Sequence, residues 1–305
     1  MYQARRSSRS TFLPIRQLDY HVREWGERVA GQPPLVLVHG WMDVSASWQF
    51  MVDALGDSRH IIAPDWRGFG LTRHAAPAPD SYWFPDYLAD LDCLLDQVAG
   101  DQSVDLVGHS MGGNVAMMYG GVRPERIRRL VNLEGFGLPA TRPSQAPERY
   151  AKWIDQIKAL QRGEVDLKTY DSAEGVARRL MKTNPRLQAD KAHWLAQHWA
   201  APDAQNRWVI LGEPAHKIIS AHLYHLDEAL ATYQRISAPV LSVTASDDSL
   251  GQWWKGQYNL AQYQERLLSV PRIQQAVVQD AGHMMHHDQP DELARLIDAF
   301  LSQPD

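Results

Sequence analysis

Ser110 stands at the centre of Gly108-His109-Ser110-Met111-Gly112, directly after the apolar run Val104–Val107 and directly before a helical pattern that opens at Gly113. A Gly-x-Ser-x-Gly run is frequent by chance, but between a buried strand and a helix it has a mechanical meaning. The chain must turn from strand to helix within about two residues, which forces the serine into a strained backbone conformation. Only glycine on either side avoids clashes. The hydroxyl is then held out at the C-terminal edge of the sheet, and the helix N-terminus behind it favours developing negative charge. A serine held this way is a candidate nucleophile for acyl transfer. His109, inside the turn, is expected to point into the scaffold and to be structural.

A serine hydroxyl needs a base. His283 follows the last predicted strand, Gln275–Val278, in a loop whose imidazole is expected to come within reach of Ser110. It is the candidate that takes the hydroxyl proton and later protonates the leaving group. Glu134 and Asp248 compete for the acid that orients it. Glu134 ends the strand pattern Ile127–Leu133, whereas Asp247 and Asp248 follow the strand pattern Pro239–Ala245. A carboxylate at the end of a buried apolar strand is costly unless paired, and a His283 imidazolium would pair it. Two aspartates in a loop cost nothing and need no function. The weighing leans to Glu134, with Asp248 kept open and Asp247 behind it. The run His283, His286, His287, Asp288 has the residue types of a metal cluster, but no other segment supplies a matched ligand set. No metal is expected, and His286 and His287 are read as solvated loop or pocket-rim residues.

With three further motifs the sequence resembles the α/β-hydrolase superfamily over nearly its whole length. The motifs are His39-Gly40-Trp41 just after the strand Leu35–Val38, Asp65-Trp66-Arg67-Gly68-Phe69-Gly70, and Gly282-His283 before a Pro-containing segment and the last helix. The resemblance implies the chain order Ser, acid, His. It implies an oxyanion hole made by the backbone N–H groups of Trp41 and Met111, worth several kcal/mol to a tetrahedral transition state. It makes His39 a loop brace, and Asp65 and Arg67 a bracing pair. Both acid positions occur in the family. Asp248 fits the usual offset after its strand, and Glu134 lies 134 − 110 = 24 residues beyond the nucleophile, close to the spacing in members with a glutamate there.

The family's haloalkane dehalogenases and epoxide hydrolases use an aspartate at the turn, which Ser110 argues against. Ser110 implies cleavage of an ester, thioester, lactone or amide of a small to medium apolar acyl substrate through an acyl-enzyme. Carbon–carbon bond hydrolases and perhydrolases use similar triads and stay open as alternatives. So does a non-catalytic ligand-binding protein on the same fold, against which Ser110, His283 and an acid candidate weigh. No cofactor is expected: Gly68-Phe69-Gly70 is not a dinucleotide loop.

The elements that must position these residues are legible as a rhythm. Leu35–Val38, His60–Ala63, Val104–Val107 and Ile127–Leu133 read as strands, with helices at Ser47–Leu55 and Tyr82–Val98. This implies an α/β fold with a mostly parallel, doubly wound sheet. From Phe136 to about Ile236 the patterns are mainly helical, as at Ala151–Leu160, Glu174–Met181, Ala189–Trp199 and Leu223–Tyr233. The expected organisation is a core of residues 1–135 and 237–305, closed by Asp291–Leu301, with residues 136–236 inserted as a helical cap. Trp153, Trp194, Trp199 and Trp208 lie in that insertion, and Trp41 is the best placed to line a pocket.

Composition narrows the partners. The chain has 305 residues, 44% of them hydrophobic, and a formal net charge of −5. A basic nucleic-acid surface is therefore not expected. The single cysteine, Cys93, excludes an internal disulfide and reads as a buried structural thiol. The N-terminal MYQARRSSRSTFLP lacks an apolar run and reads as a short disordered tail. With no stretch of transmembrane length, no membrane partner is expected, and the protein is read as soluble and cytoplasmic.

Overall fold

The computed structural model describes residues 2–56, 59–75 and 77–304. The first part of the chain is β1 (Arg9–Ile15), β2 (Leu18–Trp25), β3 (Leu35–Val38), α1 (Gln49–Val52), β4 (Ile61–Pro64) and β5 (Arg73–His74). Then come α2 (Phe84–Ala99), β6 (Val104–His109), α3 (Met111–Val122) and β7 (Ile127–Leu133). The main sheet runs β1-β2-β4-β3-β6-β7-β11-β12, where β11 is Val240–Ala245 and β12 is Ile273–Val278, and β5 pairs with β2. β1, β2 and β5 pair antiparallel; every pair from β4 to β12 is parallel. This is the expected mostly parallel α/β sheet.

The sheet is buried on both faces because each central strand is apolar on both. Val36, Val38, Leu106 and Leu130 point to one side, under Leu91 and Leu95 of α2 and Val115 of α3. Leu35, Leu37, Val107 and Val131 point to the other, against Met51 of α1 and Ile297 and Phe300 of α11 (Pro290–Leu301). Alternate residues of a strand face opposite ways, so a strand buried on both sides reads as an unbroken apolar run. Trp48, Met51, Val52 and Leu55 do share one apolar cluster, as their spacing predicts.

The N-terminal segment is not a loose tail. Arg9–Ile15 forms β1 and closes a hairpin on β2, with Ile15 opposite Leu18; Met1 lies outside the described residues. Cys93 packs half-buried against the core rather than fully inside it.

Between β7 and β11 lie α4 (Ala146–Gln161), β8 (Thr169–Tyr170), α5 (Ala173–Thr183), α6 (Ala189–Trp199), β9 (Ala200–Pro202), β10 (Trp208–Ile210) and α7 (Leu226–Tyr233). The helical reading of this stretch missed the small antiparallel sheet β8-β10-β9. α5 and α6 share a further apolar cluster, in which Leu180, Leu187 and Leu195 meet Val44 of the loop after β3 and Phe50 of α1. α7 behaves differently: its Tyr233, with Ile236 beyond it, is buried in the main core. After β11 come α8 (Ser249–Trp254), α9 (Leu260–Leu267) and, past β12, α10 (Met285–Asp288). Among the described residues no helix is long and apolar enough to cross a membrane.

Candidate active site

The sharp turn forms where the motif places it. Ser110 has φ 54° and ψ −116°, a left-handed conformation that non-glycine residues adopt only under constraint. The turn is held by a hydrogen bond from Ser110 N–H to the Leu133 carbonyl, 2.8 Å. Packing explains the glycines. A Cβ on Gly108 would sit 2.3 Å from the Gly112 carbonyl oxygen, and one on Gly112 would sit 2.3 Å from that of Val38. Met111 opens α3, where an N–H has no intrahelical acceptor. The loop after β3 presses on the same serine, since a Cβ on Gly40 would lie 3.1 Å from the Ser110 Cβ.

His283 and Glu134 meet. The imidazole Nδ1–H donates to Glu134 Oε2 at 2.7 Å. The other carboxylate oxygen accepts the Ala245 N–H at 2.9 Å. Glu134 is almost fully buried and also has a left-handed φ of 51°. Its backbone N–H reaches the Val243 carbonyl at 3.1 Å. The strain sits where one carboxylate is fixed to β11 on one side and to His283 on the other. With Nδ1 carrying the proton, Nε2 is left to act as an acceptor. Asp248 does not share this role. Its side chain caps α8, accepting the Gly251 N–H at 2.8 Å, and it is exposed. Asp247 pairs with Arg186 of the insertion at 2.7 Å.

Other expectations are corrected. His286 and His287 are buried, not solvated. His287 Nε2 contacts the Ser47 hydroxyl at 3.0 Å, and burial pushes the His287 pKa well below the ordinary imidazole value. Asp65 and Arg67 do not pair with each other: Asp65 accepts from His21 at 2.7 Å, and Arg67 binds Asp90 at 2.6 Å. His39 does brace its loop, accepting the Trp66 N–H at 2.9 Å. His109 is buried, and its Nε2–H donates to the His283 carbonyl at 2.8 Å. Burial drives the His109 pKa well below normal, so its ring is neutral.

Ser110 and His283 open into one cavity of about 220 Å³. The loop after β3 contributes Trp41 to its wall, and the insertion contributes Leu180, Leu187, Leu195 and Trp199. Trp194 and Trp208 pack instead against the cluster that α5 and α6 share with Val44 and Phe50. Trp41 is half exposed and its indole N–H reaches the His216 carbonyl at 3.3 Å, tying the loop to the insertion. Arg179 and Trp253 were not foreseen. Arg179 of α5 lines the cavity, and Trp253 of α8 stands edge-on to the His283 ring, centroids 4.3 Å apart. Short α8 left no periodic signal from which Trp253 could be placed. Among the described residues, one group has metal-ligand character, Asp43 with His109 and His286.

A serine turn, an imidazole and a carboxylate at the C-terminal ends of parallel strands define a class, the α/β hydrolases. A family model described as alpha/beta hydrolase fold matches residues 33–290, and the chain belongs to that family. It is 27% identical to a serine hydrolase-like protein of Danio rerio over 97% of this chain and 89% of that protein. It is 37% identical to the 2-hydroxy-6-oxo-2,4-heptadienoate hydrolase of Pseudomonas putida, over 34% of this chain and 38% of that protein. Among solved structures, the thioesterase domain from the curacin biosynthetic pathway superposes with a TM-score of 0.80 at 21% identity, covering 95% of this chain and 99% of that one. At that identity the likeness is one of fold.

Proposed function

We propose that this hydrolase cleaves an ester-type bond of a small to medium apolar acyl substrate through an acyl-enzyme on Ser110. His283 Nε2 takes the hydroxyl proton as Oγ attacks the carbonyl carbon, and returns it to the leaving group as the tetrahedral adduct collapses. A water, activated by the same imidazole, then releases the acid and restores Ser110. Glu134 holds the His283 tautomer and offsets the imidazolium charge. The N–H groups of Trp41 and Met111 receive the oxyanion. The insertion acts as a cap whose leucines and Trp199 take the apolar part of the substrate. The observation that carries this reading is the 2.7 Å contact from His283 Nδ1 to Glu134, with His283 and the strained Ser110 opening into the same cavity. A fluorophosphonate probe should label the wild-type chain and leave Ser110→Ala unlabelled, and short p-nitrophenyl esters should be turned over. An unlabelled, folded wild type would sink the proposal.

A second reading, hydrolysis of a carbon–carbon bond, draws on the name of the Pseudomonas putida relative and on the Arg179 guanidinium in the cavity wall, which suits a carboxylated substrate. Turnover of a 2-hydroxy-6-oxo-dienoate, with every ester in the panel inert, would favour it.

A further inference from the structure

Four polar atoms buried behind the His283 loop have no hydrogen-bond partner: Asp43 Oδ2, His109 Nδ1 and both ring nitrogens of His286. Asp43, His109 and His286 are 5%, 2% and 0% exposed. One donor atom from each lies within 4.8 Å of the others. A buried polar atom left bare costs about 1–3 kcal/mol. The three residues come from a loop after β3, a strand-to-helix turn and α10, and no protein group satisfies the atoms they bring together.

The far side of two ligands is already fixed. His109 Nε2–H is spent on the His283 carbonyl at 2.8 Å, so Nδ1 presents a bare lone pair. Asp43 Oδ1 accepts the Val44 N–H at 2.9 Å and the Ser47 hydroxyl at 2.5 Å. That turns Oδ2 toward His286 Nε2, 3.9 Å away. An imidazole bonded outward to a carbonyl and a carboxylate anchored through its second oxygen are what surrounds a metal centre. One carboxylate with two imidazoles suits zinc, nickel or copper rather than magnesium or calcium, which prefer oxygen throughout. Asp43 and His109 also line the cavity, which supplies an entry path.

We propose that Asp43, His109 and His286 form a binding site for a divalent transition-metal ion, reached through the substrate cavity. Ligand atoms around such an ion stand ~3.3–3.6 Å apart for bonds of 2.0–2.2 Å, so the set closes by about 1 Å on binding. An ion there grips the loop that carries His283 through the His109 bond. The site itself does not depend on the esterase reading.

The full chain, stripped with a chelator, is dialysed against Zn²⁺ and titrated with Co²⁺ as a visible probe. The expected result is one tightly held equivalent of zinc, a Co²⁺ ligand-field spectrum and a higher Tm with zinc. Asp43→Asn and His286→Gln should each weaken zinc binding by about 100-fold or more. A chain that retains no zinc holds only a buried water among these atoms, and the proposal is overturned. Undiminished affinity in both variants overturns it too, because the ion would then sit elsewhere, for example at the exposed pair His193 and Glu174. Should either variant fail to fold, His193→Gln decides: one equivalent retained supports the buried site, and its loss refutes it.

Discussion

Ser110 and Glu134 both hold left-handed backbone, φ 54° and 51°, at the ends of neighbouring strands. A glutamine at 134 keeps the shape but loses the charge that fixes the His283 tautomer. Glu134→Gln should therefore lower kcat by about 10³–10⁴ with KM nearly unchanged, the scale seen when a triad aspartate becomes an amide. Asp248→Ala should leave turnover alone and cost about 1 kcal/mol in stability, the value of a helix cap. Steady-state kinetics and urea unfolding of the two variants separate these roles; a large kcat loss in Asp248→Ala would return that residue to the acid's place. The pairing of Glu134 with His283 was legible because an unpaired carboxylate at the end of an apolar strand is expensive. The burial of Asp43 and His286 was not, because nothing local distinguishes a polar loop that is covered from one that is wet. His286 owes its surroundings to Trp48 and His109, far away in sequence.

At the scale of elements, the turn around Ser110 depends on close approaches rather than on composition. Gly112 faces the Val38 carbonyl with room for a hydrogen only. Gly112→Ala should lose about 1–3 kcal/mol or more as β3 and α3 are forced apart, and its fluorophosphonate labelling should slow sharply because Ser110 moves with the turn. Gly56→Ala, with nothing within 4 Å of its Cβ, is the control and should behave like wild type. Equal thermal midpoints and labelling rates for both variants would refute the argument. Long periodic elements such as α2, and apolar runs such as β3, were readable because burial imprints its period on the sequence. β1 was not: it is an edge strand whose residues stay largely exposed. β8, β9 and β10 span two or three residues each, too short for any period to show. α8 and α9 span six and eight residues and are capped by Asp248 and Asn259.

At the scale of the whole molecule, burying both faces of the sheet and packing the segment between β7 and β11 against the core leaves several imidazoles buried. His216 lies stacked between Phe69 and Tyr82, ring centroids 3.7 Å from each. Burial lowers its pKa to about 3, and that of His198 to about 4. An unfolded chain returns both to the ordinary histidine value of about 6.5. Between these limits the unfolded state binds more protons, so stability is full above about pH 6.5 and falls as the pH drops toward the folded values. Carboxylates held low, such as Asp65 beside His21, act in the same direction at lower pH. For His216 alone the loss between about pH 7.5 and pH 5 comes to about 2 kcal/mol. Guanidinium unfolding at the two pH values should show at least that loss in the wild type. His216→Phe keeps the stack, removes the titrating group and should flatten the dependence by about 2 kcal/mol, although the bond to the Arg67 carbonyl is lost at both pH values. A variant with the wild-type pH slope would show that His216 is not the proton acceptor that opens the fold in acid.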